Sequence, residues 1–150
     1  MPAELGYWLR KLPKIPPAAK SDDKTQMKVG LPPPQNRRVL IVEDQAVLLE
    51  GMASAFERAG RSVVAERTFE QARSRLLAEN FHCLITDVRL GAFNGIQLAV
   101  IARDRNPDMG IIVFSGFDDP VLRAEAAQLG ARYVLKPVTA ARLMELLDAC

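Results

Sequence analysis

With 150 residues, 49% of them hydrophobic and 25% charged, the chain can bury one real core and carry a tail, and falls short of two full domains. The net charge of +2 is unevenly spread, with seven Lys/Arg against three Asp/Glu in residues 1–37 and thirteen against fifteen in residues 38–150. The basic excess is confined to the leading segment, so the body carries no nucleic-acid footprint and no direct nucleic-acid binding is expected.

Residues 1–37 contain seven of the ten prolines, among them Pro16-Pro17 and Pro32-Pro33-Pro34. Such a segment neither propagates a helix nor joins a sheet centre, and it reads as a disordered basic leader with one sticky spot, Tyr7-Trp8-Leu9. A peptide that docks on a partner is the alternative, and Met27 would also serve as a start. The opening Met1-Pro-Ala-Glu-Leu-Gly lacks the charged start and apolar middle of a signal peptide. No apolar stretch approaches the ~18–20 residues needed to cross a bilayer, so a cytoplasmic location away from membranes is expected. Cys83 lies in an apolar run and Cys150 is the last residue, which makes no disulfide framework. Cys83 reads as a small core residue and Cys150 as an exposed thiol.

From Arg38 onward short apolar runs alternate with amphipathic stretches, the pattern of βαβ units. A strand over 38–43 ends in Glu43-Asp44, and a helix over 45–59 follows, stopped by Gly60. Val47, Leu48, Met52, Ala55 and Phe56 recur at helical spacing in it and read as core. The 62–66 run is weaker and suits an edge strand. A helix over 69–79 opens on Thr68 with Gln71, a capping-box pattern. The strand over 82–87 ends in Asp87, and a helix over 95–105 is stopped by Asn106-Pro107. The strand over 110–115 ends in Ser115, and Asp118-Asp119-Pro120 opens a helix over 119–129 closed by Gly130. A strand over 132–136 ends in Lys136-Pro137, before a last helix over 139–149.

The expected fold is α/β, a doubly wound five-stranded parallel sheet with five helices, residues 38–150 forming the domain. If the runs are neighbouring parallel strands, their carboxyl ends share one edge, where open α/β sheets bind ligands. Glu43, Asp44 and Asp87 brought within ~4–5 Å would repel by about 4 kcal/mol per pair at an effective dielectric near 20. Protonation, a cation or Lys136 must relieve that. Mg2+ suits an all-oxygen donor set, and one histidine, His82, gives no basis for zinc.

Val39-Leu40-Ile41-Val42-Glu43-Asp44, Ile85-Thr86-Asp87-Val88-Arg89-Leu90 with Asn94-Gly95, Val113-Phe114-Ser115-Gly116, and Gly130-Ala131-Arg132-Tyr133-Val134-Leu135-Lys136-Pro137 stand in this order. Residues 38–150 therefore resemble the receiver domain of two-component response regulators. The resemblance implies a flavodoxin-like sheet of strand order 2-1-3-4-5. It makes Asp87 the phosphoacceptor, attacking a phosphohistidine on a histidine kinase or histidine phosphotransfer protein. Asp44 and Asp87 would hold Mg2+ directly, Glu43 through water, and the Arg89 backbone carbonyl would complete the protein ligands. Lys136 and Ser115 would bind phosphoryl oxygens, and Tyr133 would follow Ser115 inward as the switch. The Lys136–Pro137 bond would be cis.

Some positions depart from the family pattern. Glu43 stands where Asp is frequent and leaves metal binding intact, and Val138 stands where Phe is frequent. Ala92-Phe93-Asn94 lacks the usual proline, so a mobile loop after Asp87 is expected. Arg132 replaces an acidic dimer contact, so a monomer or a weak phosphorylation-dependent dimer is expected. Arg89 and Phe117 occupy the positions that tune dephosphorylation in the family, and a bulky pair there implies a long-lived phosphoryl group. The family docks its kinase on the first helix, near Leu48, Leu49 and Met52.

Taken singly, an aspartate after a strand often caps a helix, Lys136 would be a surface lysine, Ser115 a loop hydroxyl and Tyr133 a packing residue. Their joint placement on one edge carries the functional reading, while His82 and Asp118-Asp119 read as structural. A haloacid dehalogenase-type hydrolase needs a second Asp where Arg89 stands, and an FMN carrier needs a phosphate loop where Glu43-Asp44-Gln45 stands. The remaining alternatives are a receiver cut from a longer regulator with an output domain, and a degenerate receiver acting as a phosphorylation-independent binding module. The chain stopping at Cys150 favours a single-domain regulator.

Overall fold

Val39, Leu40, Ile41 and Val42 are sealed from solvent because the strand they form has a parallel neighbour on each edge and helices over each face. The structure, a computed structural model, describes residues 37–148. The expectations for the proline-rich leader (Arg37 apart) and for the Cys150 thiol fall outside the described residues. The elements are β1 (Arg38–Val42), α1 (Ala46–Arg58), β2 (Ser62–Glu66), α2 (Phe69–Ala78), β3 (Cys83–Asp87), β4 (Arg89–Leu90), β5 (Phe93–Asn94), α3 (Gly95–Arg105), β6 (Gly110–Ser115), α4 (Pro120–Gln128), β7 (Arg132–Leu135) and α5 (Ala140–Asp148).

The main sheet runs β2-β1-β3-β6-β7, all parallel, which is the expected order 2-1-3-4-5 once the two short strands are set aside. Successive residues point to opposite faces, so a strand buried on both must be apolar throughout. Leu40, Val42, Leu84, Ile111 and Val113 pack beneath α2, α3 and α4, with Leu76, Leu98 and Ala126. Val39, Ile41, Ile85, Ile112 and Phe114 face the other way, under Leu49, Met52 and Phe56 of α1 and Leu143 and Leu146 of α5. The 62–66 run is an edge strand, half-buried as its weaker pattern implies.

The punctuation holds. Thr68 Oγ1 accepts from the Gln71 N–H at 3.2 Å, and Asp119 accepts from the N–H groups of Val121 and Leu122 ahead of Pro120 at the helix start. Gly60 and Gly130 take positive φ (85° and 67°) after their helices. The Lys136–Pro137 bond is cis. Among the described residues no helix is long and apolar enough to cross a membrane.

Three expectations need correction. Met52 and Phe56 of α1 are core, but Val47 is 85% exposed and Leu48 half-exposed, while Leu49 is buried in their place. The apolar stripe of α1 is wider than the sheet it covers, so one flank is left over. The segment after Asp87 is not a bare loop but an antiparallel hairpin, Arg89 opposite Asn94 and Leu90 opposite Phe93, turning at Gly91 with φ 62°. Cys83 is buried, as expected, but against the expectation of no disulfide framework its sulfur is disulfide-bonded. Cys83 lies in the core layer that α5 covers.

Candidate functional site

The carboxyl end of the sheet gathers the polar stops of four strands. Glu43 follows β1, its N–H donating to the Glu66 carbonyl at 3.1 Å, so the main chain stays parallel to β2 for one further residue. That holds the Glu43 side chain in the interior, fully buried, while Asp44 next to it is exposed. Asp87 ends β3 between β1 and β6, with its side chain only 11% accessible. Glu43, Asp44 and Asp87 each bring an oxygen to a common point, all within 4.8 Å of one another.

Lys136 follows β7 and reaches across the edge. Its main-chain N–H donates to the Ser115 carbonyl at 2.8 Å, fixing the lysine beside β6. From there Nζ lies 3.1 Å from Asp87 Oδ2 and 3.3 Å from Glu43 Oε2. Burial, and then the charge of Asp87, push the Glu43 carboxyl up to about 7 despite Lys136. Burial works against the Lys136 ammonium, yet its hydrogen bonds and charge attraction to Asp87 and Glu43 raise its pKa overall. One ammonium therefore does not neutralise three clustered carboxylates. Oxygen-only ligands with surplus negative charge fit a hard divalent cation such as Mg2+.

Ser115 ends β6 and is buried, its Oγ accepting from the Phe117 N–H at 3.1 Å, which leaves its hydroxyl hydrogen available. Tyr133 on β7 is half-buried and donates from its hydroxyl to the Phe117 carbonyl at 2.7 Å. The Arg123 guanidinium sits 4.9 Å from the Tyr133 ring centroid, and that of Arg89 sits 5.0 Å from the Phe117 ring centroid. The residues expected at the site thus lie on this edge or on the loops leaving it, except Tyr133, which stands within β7 opposite Val113 and reaches the loop through its hydroxyl. His82 and the acidic pair have structural partners: His82 Nδ1 accepts from the Arg38 N–H, Asp118 pairs with Arg123, and Asp119 caps α4.

Several supporting residues, three of them inside the quoted motifs but without a role there, join the site. Thr86 is fully buried and its hydroxyl donates to the Asp87 carbonyl at 2.9 Å. Asn94 caps α3, its side chain accepting from the Ile96 N–H while its own N–H donates to the Gln97 side chain. Gly95 had a signal, a glycine at a helix start after a functional strand, which marks close backbone approach. Arg67, whose guanidinium donates twice to the Asp44 carbonyl, had none.

Residues 39–148 match the family model described as the response regulator receiver domain. The response regulator receiver protein CpdR of Brucella abortus is 31% identical over 102 residues, 67% of this chain and 85% of that protein. Other curated relatives are longer, and the chain spans 31% of one and 23% of another. A CheY-like receiver domain protein from Methanospirillum hungatei superposes with a TM-score of 0.73 at 25% identity, covering 76% of this chain and 92% of that one. A response regulator from Burkholderia pseudomallei, solved with a phosphorylated aspartic acid, calcium ion and citrate, gives 0.69 at 26% identity, covering 75% and 66%.

Proposed function

The chain belongs to the response regulator receiver domain family, and from that membership we propose a phosphorylation-controlled binding switch whose phosphoacceptor is Asp87. The observation that carries it is the convergence of Asp87 with Glu43 and Asp44 within 4.8 Å and with Lys136 Nζ at 3.1 Å. An Asp87 oxygen attacks the phosphorus of a phosphohistidine on a histidine kinase or phosphotransfer protein. The P–N bond breaks and its electron pair leaves with the imidazole, forming an acyl phosphate. Asp44, Asp87, the Arg89 carbonyl and, through water, Glu43 would hold Mg2+, which supplies positive charge to the transferring group. Lys136 moves from pairing with Asp87 to pairing with a phosphoryl oxygen, and Ser115 donates to another. The new charge draws Ser115 and Tyr133 inward and remodels the surface of α4 and β7. The phosphorylated aspartic acid of the Burkholderia structure supports the same chemistry here.

The protein is a signalling domain of the cytoplasm rather than an enzyme acting on a separate substrate. The exposed flank of α1, Val47 and Leu48, borders a groove of about 600 Å³ with Lys136, Pro137 and Val138, and it suits the phosphodonor better than buried Leu49 and Met52 do. The test is intact-mass measurement of the protein incubated with acetyl phosphate and Mg2+, where one phosphoryl group should be gained. No gain, together with no binding of Mg2+ or beryllofluoride, would sink the reading.

Arg89 and Phe117, two residues beyond Asp87 and Ser115, meet each other, and this contact should slow the entry of water to Asp87. An exposed cation–π contact is worth about 0.5–1 kcal/mol, so Arg89→Ala and Phe117→Ala should each shorten the phosphoryl half-life about 2- to 5-fold. Loss of radiolabel from the purified phosphoprotein checks this. A wild-type half-life of seconds, unchanged in either variant, would remove the pair from any such role.

A further inference from the structure

The corner where β2 turns into α2 touches both loops that lead to the acidic cluster. Arg67 donates from Nε at 3.2 Å and from Nη2 at 2.9 Å to one acceptor, the main-chain carbonyl of Asp44. Two residues later Phe69 stacks on Phe93, with ring centroids 4.5 Å apart and planes 11° from parallel. Phe93 is paired with Leu90 in the hairpin that leaves Asp87 and carries Arg89. Between the Asp44 loop and that hairpin lies a cleft of about 590 Å³, so the corner rather than direct packing joins them. Arg67 and Phe93 are exposed, while Phe69 is half-buried against the core layer beneath α2.

We propose that Arg67 and Phe69 are positioning residues of the cation site. Arg67 aims the Asp44 carboxylate by fixing its main chain, and Phe69 fixes the hairpin. This rests on the reading of the acidic cluster as a divalent-cation site. A carboxylate on a loop spends part of its time turned away unless its main chain is held, and outer supports of this kind change metal affinity about 10- to 100-fold. Arg67 also carries a positive charge, which on its own would weaken cation binding. Lysine separates the two effects, since it keeps the charge and loses the planar fork.

Mg2+ affinity of the full chain, measured calorimetrically beside thermal unfolding without metal, tests this. Arg67→Lys should weaken Mg2+ binding about 10-fold, and Phe69→Leu, which keeps apolar bulk but not stacking, by a similar factor. The double variant should show the product of the two effects, because each residue holds a different loop. The metal-free melting temperature of Arg67→Lys should stay close to wild type, which a merely structural role would not allow, and the loss of Mg2+ affinity in Phe69→Leu should persist at temperatures where its metal-free form is fully folded. If Arg67→Lys binds like wild type while Arg67→Ala binds more tightly, Arg67 acts only as a charge and the proposal fails. It fails alone if wild type binds Mg2+, Asp44→Asn does not, and Arg67→Lys and Phe69→Leu bind as wild type does. Wild type that binds no Mg2+ overturns it together with the cation-site reading.

Discussion

Asp87→Asn is expected to give a folded protein that gains no phosphoryl group from acetyl phosphate under conditions that load wild type fully. The amide keeps the shape of the carboxylate and loses both its nucleophilic oxygen and its charge. Two electrostatic changes then oppose each other. Lys136 loses its partner at 3.1 Å but keeps Glu43 at 3.3 Å. Glu43 stays buried but is freed from the Asp87 charge, the second cause of its raised pKa. Because loss and relief offset, metal-free stability should shift by no more than about 1 kcal/mol, the scale of a net hydrogen bond. Thermal unfolding in a chelator checks the fold, and intact mass checks the chemistry. Undiminished uptake in the variant would place the phosphoacceptor elsewhere.

Gly95→Ala should do the reverse and damage the fold through the site. A Cβ at Gly95 would meet the Asp87 carbonyl oxygen at 2.0 Å, Thr86 Oγ1 at 2.8 Å and the Asp87 carbonyl carbon at 3.0 Å. Two of these atoms are main chain, and the Gly95 N–H is already hydrogen-bonded to the Val88 carbonyl at 2.6 Å, so nothing flexible can yield. Either α3 lifts off the core layer containing Ile96, Leu98 and Ala99, or Asp87 rotates out of line with Glu43 and Asp44. Helix propensity predicts the opposite sign, since alanine is better than glycine by about 1 kcal/mol. The contact should dominate, with a loss of about 3 kcal/mol, the upper part of the usual range for overpacking. Gly51 in α1 supplies the control: nothing lies within 4 Å of its Cβ position, so Gly51→Ala should gain stability, by up to about 1 kcal/mol. Equal behaviour of the two variants in chemical denaturation would refute the steric account.

The contrast between these two glycines shows what was legible in the chain. Runs such as Val39–Val42 and Ile111–Phe114 announced strands buried on both faces, and the polar residue ending each run marked the edge where chemistry collects. Glu43, Asp87, Ser115 and Lys136 could be placed there because chain direction and parallel order put them there without knowledge of any side-chain contact. What escaped was pairing between residues brought together only by the finished fold. Arg67 with Asp44, and Phe69 with Phe93, lie in segments whose local patterns say helix start or turn. The apolar stripe of α1 is ambiguous in phase: too wide for one face, it does not reveal which flank the sheet covers, so the spacing puts Val47 in the core set where the fold buries Leu49.

The hydroxyl of Tyr133 holds the carbonyl of Phe117, the residue whose ring meets Arg89, two residues beyond Asp87. Any molecule that grips Tyr133 from the α4 side therefore pulls, through Phe117, on the contact with Arg89 beside the proposed phosphoacceptor. By thermodynamic linkage, a ligand that prefers the phosphorylated form must in turn make that form easier to reach, by the same factor. On the proposed function, reception and response would be two ends of one equilibrium, and the level of a target in the cell would help set how much of the protein is phosphorylated.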